Sequence, residues 1–453
     1  MKTRNKLLIC FYGDDFTGST DALESLSQAG IRTVLFTSPP TLAQLANYPE
    51  LQAIGVAGRT RSLSVPAIRK ELKPALIALK HLRPRHVHYK ICSTFDSSPT
   101  IGSIGAVIDL AWGLFRPRFV PMAVGTPALG RYCVFGNLFA RTGRDAEPIR
   151  LDRHPTMSKH PVTPADESDL RIHLARQTKK RLALFDIVKL ELPREKGRTA
   201  LDRLLKERPE VILFDVLYER QLTRIGELID SFAAPRAPLF SVGSSGFGAA
   251  LAQYWRLNGL IGKPPRWRPP GKAPPLLAVS GSCSPVTARQ IKNAARDGVA
   301  EIALDTRGLV DPQSSLNSER LAVEKIVRHL SSGRSVVAHT SRGPDDPRIC
   351  ATQRSWRQET HLGLILGRII REALSRVQVR RVCLAGGDTS SYAARVLGIE
   401  AMEMVAPIAP GAPLCRVRAP GSPADGIEMN FKGGQVGSDE YFDNVLEGRT
   451  ENS

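Results

Sequence analysis

The chain has 453 residues, 42% of them hydrophobic and 24% charged, and 63 Lys and Arg against 44 Asp and Glu give a formal net charge of +19. That length exceeds a single hydrophobic core and predicts two domains, while the composition excludes an extended disordered or fibrous chain. The excess of basic residues suits nucleic acid, anionic membrane or small anionic substrates, but arginines spread along the chain and 6% aromatic residues weigh against nucleic acid.

The first elements follow a regular beat. Residues 7–12 read as a strand, 17–29 as a helix ended by Gly30, and 33–36 as the next strand. The apolar run 7–12 is too short for a signal peptide, and no other stretch is long enough to span a bilayer. Strands are predicted at 54–58, 86–93, 119–125, 182–188, 211–216 and 239–243, with helical segments between them, including one through 67–82. The stretch GKPPRWRPPGKAPP, 262–275, cannot continue a helix or a central strand and reads as a linker. A second series follows: strands at 276–281, 301–306, 335–340 and 381–387, a helix from Pro285 and a long helix through 355–377. The predicted fold is α/β, two domains each built on a mostly parallel sheet with helices on both faces. The expected boundaries are 1–258, a linker at 259–275 and 276–453, with the active site in the interdomain cleft.

Seven cysteines (Cys10, Cys92, Cys133, Cys283, Cys350, Cys383 and Cys415) are scattered, odd in number and without a CxxC pair. Neither a disulfide framework nor a zinc site is indicated, and a cytoplasmic location is expected. His86 and His88, two apart on a predicted strand, have no evident third ligand and read as packing or surface residues rather than metal ligands.

Ligands of open α/β sheets bind where strands end and loops lead into helices. The first such loop, GDDFTGSTD, carries Asp14, Asp15 and Thr17; one side chain can cap the following helix, and a second carboxylate exceeds that need and suits a hydroxyl. AGRTRSL supplies Arg59 and Arg61, and YKICSTFDSSPTIGSIG supplies Lys90, Ser93, Thr94, Asp96 and Ser97. Cations and hydroxyls facing carboxylates suit a small molecule with a negative group and several hydroxyls; structural pairing of Arg59 or Lys90 with Asp14 or Asp15 is the equal alternative. In the second half, SGSCSP (280–285) and AGGDTSS (385–391) each precede a helix, and FKGGQVGSDEYF (431–442) adds a Gly-rich stretch with Lys432 available to a phosphate. No P-loop, Rossmann fingerprint or protein-kinase signature is present.

In order along the chain, GDDFTGSTD, KICSTFDSSPTIGSIG, HPVTPADESDLRIHLARQT, SGSCSPVTARQI, AGGDTSS and KGGQVG resemble the four-carbon acid sugar kinases, which phosphorylate tetronates such as threonate, erythronate and 3-oxo-tetronate with ATP. The resemblance implies an N-terminal domain for the acid sugar and a C-terminal domain for ATP with Mg²⁺. Carried over by position, Asp14, Asp15 and Asp388 are the catalytic candidates, and Arg59, Lys90, Ser93 and Asp96 lie on the substrate side. Ser282, Ser284, Gly386, Gly387, Asp388, Thr389, Gly433 and Gly434 would contact the nucleotide. KGGQVG departs from the family's KSGNFG variant. No resident metal, nucleic-acid partner or membrane partner is expected, and a homo-oligomer is left open. A non-catalytic sensor on the same scaffold is the alternative reading.

Overall fold

Ile9–Gly13 (ICFYG), Ala53–Ala57 (AIGVA) and His86–Lys90 (HVHYK) are buried at every position. Burial on both faces is what inner strands of a parallel sheet covered by helices require. We describe the protein from a computed structural model, in which residues 7–143, 146–160, 162–234, 237–349 and 356–451 are described. The chain divides into two units, Met1–Thr33 with Ser38–Pro265, and Val34–Thr37 with Arg266–Ser453.

The sheet of the first unit is parallel, in the order Ala53–Ala57, Ile9–Gly13, His86–Lys90, Leu239–Gly243, Val120–Ala123, Val211–Phe214, Leu182–Phe185. The helix Phe16–Gln28 starts after the first strand and packs on Ser245–Leu257, which also carries Glu219–Asp230. His86 Nε2 meets Asp230 Oδ1 at 2.9 Å and His88 Nδ1 meets Ser241 Oγ at 2.9 Å, so both imidazoles are buried in packing. A small antiparallel sheet, Arg131–Val134, Asn137–Ala140 and Ile149–Arg150, was not foreseen. Its turn, Phe135–Gly136, has positive φ at both residues (51° and 82°), and the buried Asp215 carboxylate accepts from both backbone N–H groups at 2.6 and 2.9 Å.

In the second unit, Ala300–Ala303, Val336–His339, Leu276–Ser280, Arg381–Ala385 and Glu428–Lys432 are parallel in that order. Ala412–Arg418 and Ala401–Ala409 extend it antiparallel, an addition absent from the predicted strands. The short strand Thr33–Phe36, predicted within the N-terminal domain, pairs through Leu35 and Phe36 with Met402 and Ala401. Its fully buried apolar side chains find their partners here, which is why Val34–Thr37 belongs to this unit. The long predicted helix is Trp356–Arg376; its predicted first residue, 355, and Cys350 lie outside the described residues.

Candidate active site

From Ile9–Gly13 the chain visits Ala53–Ala57 on one side of that strand and then His86–Lys90 on the other, so the strand ends at a topological switch point. Asp14 and Asp15 are the next residues. Their backbone is pinned from both neighbours: Asp14 N–H donates to Lys90 O at 2.8 Å, and Arg61 N–H donates to Asp14 O at 3.0 Å.

The two carboxylates have opposite environments. Asp15 caps the helix, accepting from Gly18 N–H at 2.8 Å and Thr17 Oγ1 at 3.0 Å, and its Oδ2 pairs with Arg61 Nη2 at 2.8 Å. Burial opposes its charge, but Arg61, Lys90 and these donors outweigh it and hold the carboxyl below its ordinary pKa. Asp14 is 2% exposed; Oδ2 accepts from Cys92 N–H at 3.3 Å and Oδ1 is buried without a partner. Burial, then the adjacent Asp15 charge, pushes the Asp14 pKa up to about 7. Two neighbouring acids with pKa values driven apart are the usual mark of separate acid–base roles.

The other expected residues of this edge divide. Asp96 Oδ1 accepts from Thr94 Oγ1 at 2.7 Å while its Oδ2 lies 3.8 Å from Arg61 Nη1, so Arg61 bridges Asp15 and Asp96. Ser93 is partly buried on the same loop. Lys90 is buried, and its Nζ pairs with Asp21 Oδ2 at 3.2 Å rather than with Asp14 or Asp15. Arg59 turns aside: its Nε pairs with Glu71 at 2.9 Å, and Tyr12 Oη holds the other oxygen of Glu71 at 2.9 Å. The arginine on the carboxylates is therefore Arg61. Arg59 immediately precedes the single 3₁₀ turn Thr60–Ser62 and Arg61 lies within it, and the two are sent to different partners.

In the second unit the three small-residue loops follow adjacent parallel strands whose ends are level, Ser280 beside Ala385 and Ala385 beside Lys432. Gly281 N–H donates to Ala385 O at 3.0 Å and Gly386 N–H to Lys432 O at 2.9 Å. A Cβ on Gly434 would lie 2.6 Å from Ser282 Oγ and 3.1 Å from Ser284 Cβ, and one on Gly281 would lie 2.1 Å from Thr389 Oγ1. Ser282, Ser284, Gly386, Thr389 and Gly434 are thus brought together, with Gly387 and Gly433 adjoining them in the chain. The helices Pro285–Arg296 and Gly387–Val396 begin at these loops, and Asp388 sits in the first turn of the latter. Such helix starts present unpaired N–H groups and a positive dipole end to an anion.

Lys432 departs from its expected place. It is fully buried, its Nζ donates to Thr287 Oγ1 at 3.0 Å and lies 5.3 Å from the Tyr441 ring, and Thr287 Oγ1 donates on to Gly434 O at 2.8 Å. Burial pulls its pKa down to about 8. The lysine braces the glycine loop from beneath instead of standing free for a phosphate. Among the described residues no cluster of three or more His, Cys, Asp or Glu side chains could hold a metal ion, and no helix is long and apolar enough to cross a membrane.

A family model described as a sugar-binding N-terminal domain matches residues 9–251, and one described as a nucleotide-binding C-terminal domain matches residues 277–442. The 3-oxo-isoapionate kinase of Paraburkholderia graminis is 41% identical, over 98% of this chain and 95% of its own. The chain belongs to the four-carbon acid sugar kinase family. This acid sugar kinase is also 28% identical to the 3-oxo-tetronate kinase of Methylobacterium radiotolerans, over 96% of this chain and 97% of that one. A crystal structure from Salmonella typhimurium LT2, provisionally described as a tRNA synthase, superposes with a TM-score of 0.77 at 24% identity over 97% of this chain and 98% of its own, a likeness of fold alone. The enzyme is an ATP-dependent phosphotransferase acting on a sugar-acid hydroxyl.

Proposed function

We propose that the enzyme transfers the γ-phosphoryl group of ATP to a hydroxyl, the terminal one, of a 3-oxo sugar acid, with Asp14 as the general base. The 3-oxo acid is the chemistry shared by the two names carried by its relatives. The observation that carries the proposal is the partnerless, buried Oδ1 of Asp14 on a carboxyl lifted to about 7. A base works best with a pKa near the working pH and a free lone pair toward the proton it takes.

Asp15, held ionised by Arg61, keeps Asp14 basic through its adjacent charge and orients the helix start. Thr94 and Asp96 offer further polar contacts for hydroxyls on the same edge. In the second unit Ser282, Ser284, Gly386, Gly387, Thr389, Gly433 and Gly434 would receive the triphosphate, with small residues giving close backbone approach and helix starts offsetting its charge. Asp388, in the first turn of Gly387–Val396, is the carboxylate that would hold Mg²⁺ together with the phosphates, the usual protein share of such a site. When bound, Mg²⁺ would neutralise charge on the transferred group. In-line transfer asks little covalent chemistry of the protein, so positioning and charge placement supply most of the rate.

Coupled ADP release tests the reading against 3-oxo-tetronate, 3-oxo-isoapionate, and both enantiomers of threonate and erythronate. Turnover with a 3-oxo acid is expected. ATP consumption with none of them, or equal consumption without acid, would refute it.

A further inference from the structure

The cations expected to take the substrate carboxylate are already engaged: Arg59 with Glu71, Lys90 with Asp21, and Arg61 with Asp15 and Asp96. Arg131 is different. It opens the strand Arg131–Val134, which follows Val120–Ala123, a strand of the parallel sheet that carries Asp14 at its carboxyl edge. Its guanidinium donates through Nη1 to Leu129 O, its Nε is buried without a partner, and among the described residues it forms no ion pair with a carboxylate. The carboxylate acting on it through space, Asp96, belongs to the loop that supplies the N–H donor to Asp14. Burial lowers its pKa, consistent with a charge that lacks a counter-ion.

The backbone under Arg131 is fixed. Thr126 N–H donates to Arg131 O at 2.8 Å and Arg131 N–H to Thr126 O at 3.1 Å, and Thr126 Oγ1 lies 2.6 Å from Ser244 Oγ, beyond the end of Leu239–Gly243. On the far side, Asp215 clamps the turn of the same hairpin. A partly buried guanidinium without a counter-ion, on a rigid support, costs stability in the free protein and gains it back with an anion.

We propose that Arg131 binds the carboxylate of the sugar acid, and so selects acids over neutral polyols. The assignment rests on the kinase reading above. Its planar guanidinium suits a carboxylate, and among the described residues Nη2 makes no hydrogen bond that would compete for it.

The test compares wild type, Arg131→Met and Arg131→Lys in initial-rate kinetics at saturating ATP, using 3-oxo-isoapionate, 3-oxo-tetronate and the neutral carboxamide of each. For Arg131→Met the KM for the acid should rise roughly 30-fold or more, the scale of truncating one member of a buried charge pair. The KM for ATP and the kinetics of the carboxamide should stay as in wild type, Arg131→Lys should recover part of the loss, and the ligand-free melting temperature of Arg131→Met should hold or rise. An unchanged KM for the acid in an active variant would overturn the assignment alone. So would equal losses for acid and carboxamide, or a lowered melting temperature, because either points to a structural or phosphoryl-binding role. Wild-type protein inert toward both acids would overturn the kinase reading and the assignment with it.

Discussion

Replacing Asp14 by Asn keeps the shape of the side chain and removes the proton acceptor. With a pKa of about 7, Asp14 is roughly one-tenth ionised at pH 6 and nine-tenths at pH 8. The kcat/KM of the wild type should therefore fall about tenfold per pH unit below about pH 7, since this quantity reports the free enzyme's essential base. Asp14→Asn should lower kcat at least ~10²-fold, about 2.7 kcal/mol, and abolish that acid limb. Asp15→Asn should move the limb to lower pH, because the Asp15 charge raises the Asp14 pKa and its removal also leaves Arg61 nearer to serving Asp14. Stability gives an independent readout. A carboxyl whose folded pKa lies above its unfolded value of about 3.9 binds more protons when folded, so its favourable contribution is complete at low pH and is lost as pH rises to about 7. Asp14→Asn should thus melt near the wild type at about pH 4 and above it at pH 8. Normal turnover with the limb intact in Asp14→Asn would refute the general-base role.

The remaining predictions concern the supports of the two sites. Gly434→Ala and Gly281→Ala should raise the KM for ATP about tenfold and leave that for the sugar acid unchanged, because the added Cβ displaces Ser282 or Thr389; nucleotide titration checks this. Asp215→Ala strips the acceptor from Phe135, Gly136 and Ile187 N–H groups, and at ~1–3 kcal/mol for each buried donor left unpaired it should cost several kcal/mol in urea unfolding. Glu428→Ala leaves Arg381, fully buried and paired to Glu428 at 2.6 Å, without its counter-ion, and should cost ~3–5 kcal/mol, whereas an Arg381→Met, Glu428→Leu double substitution should restore much of it.

How much of this was legible depended on whether the signal was local. Strands such as Val211–Phe214 and Arg381–Ala385 are short apolar runs bounded by turn residues, and they stood out. The hairpin carrying Arg131 did not, because its turn places Phe135, a bulky residue, at φ 51°, a conformation stabilised by Asp215 eighty positions away. The strands Ala401–Ala409 and Ala412–Arg418 were hidden by Pro407, Pro410 and Pro413; the pairing shifts register between Ala406 and Ala409, where a proline's missing N–H is tolerated. In the sites, the small-residue loops after strands were readable, as was the helix-capping role for one of the aspartates. Which arginine faces them was not: Arg59 and Arg61 are chemically equal in the sequence, and only the 3₁₀ turn that holds Arg61 and follows Arg59 decides. Lys432 misled for a similar reason, since a lysine in a glycine-rich motif reads as a phosphate ligand until its burial against Thr287 is seen.

Among the buried polar atoms of the first unit that lack the partner such atoms usually find are Asp14 Oδ1 and Arg131 Nε. One is an acceptor on a carboxyl raised toward neutrality, and the other is a donor on a cation. Had stability alone shaped this edge, the nearby Arg61 and Lys90 would be expected to satisfy Asp14; instead they are turned to Asp15 and Asp21. The arrangement makes sense if the missing partner is a ligand with a hydroxyl to give a proton and a carboxylate to receive two. A sugar acid has both, and a sensor that only bound it would gain nothing from holding Asp14 near pKa 7, since an ionised, fully paired carboxylate binds a hydroxyl as well at lower cost to the fold. On the proposed reading, proton removal, rather than binding alone, is what the split between Asp14 and Asp15 would serve.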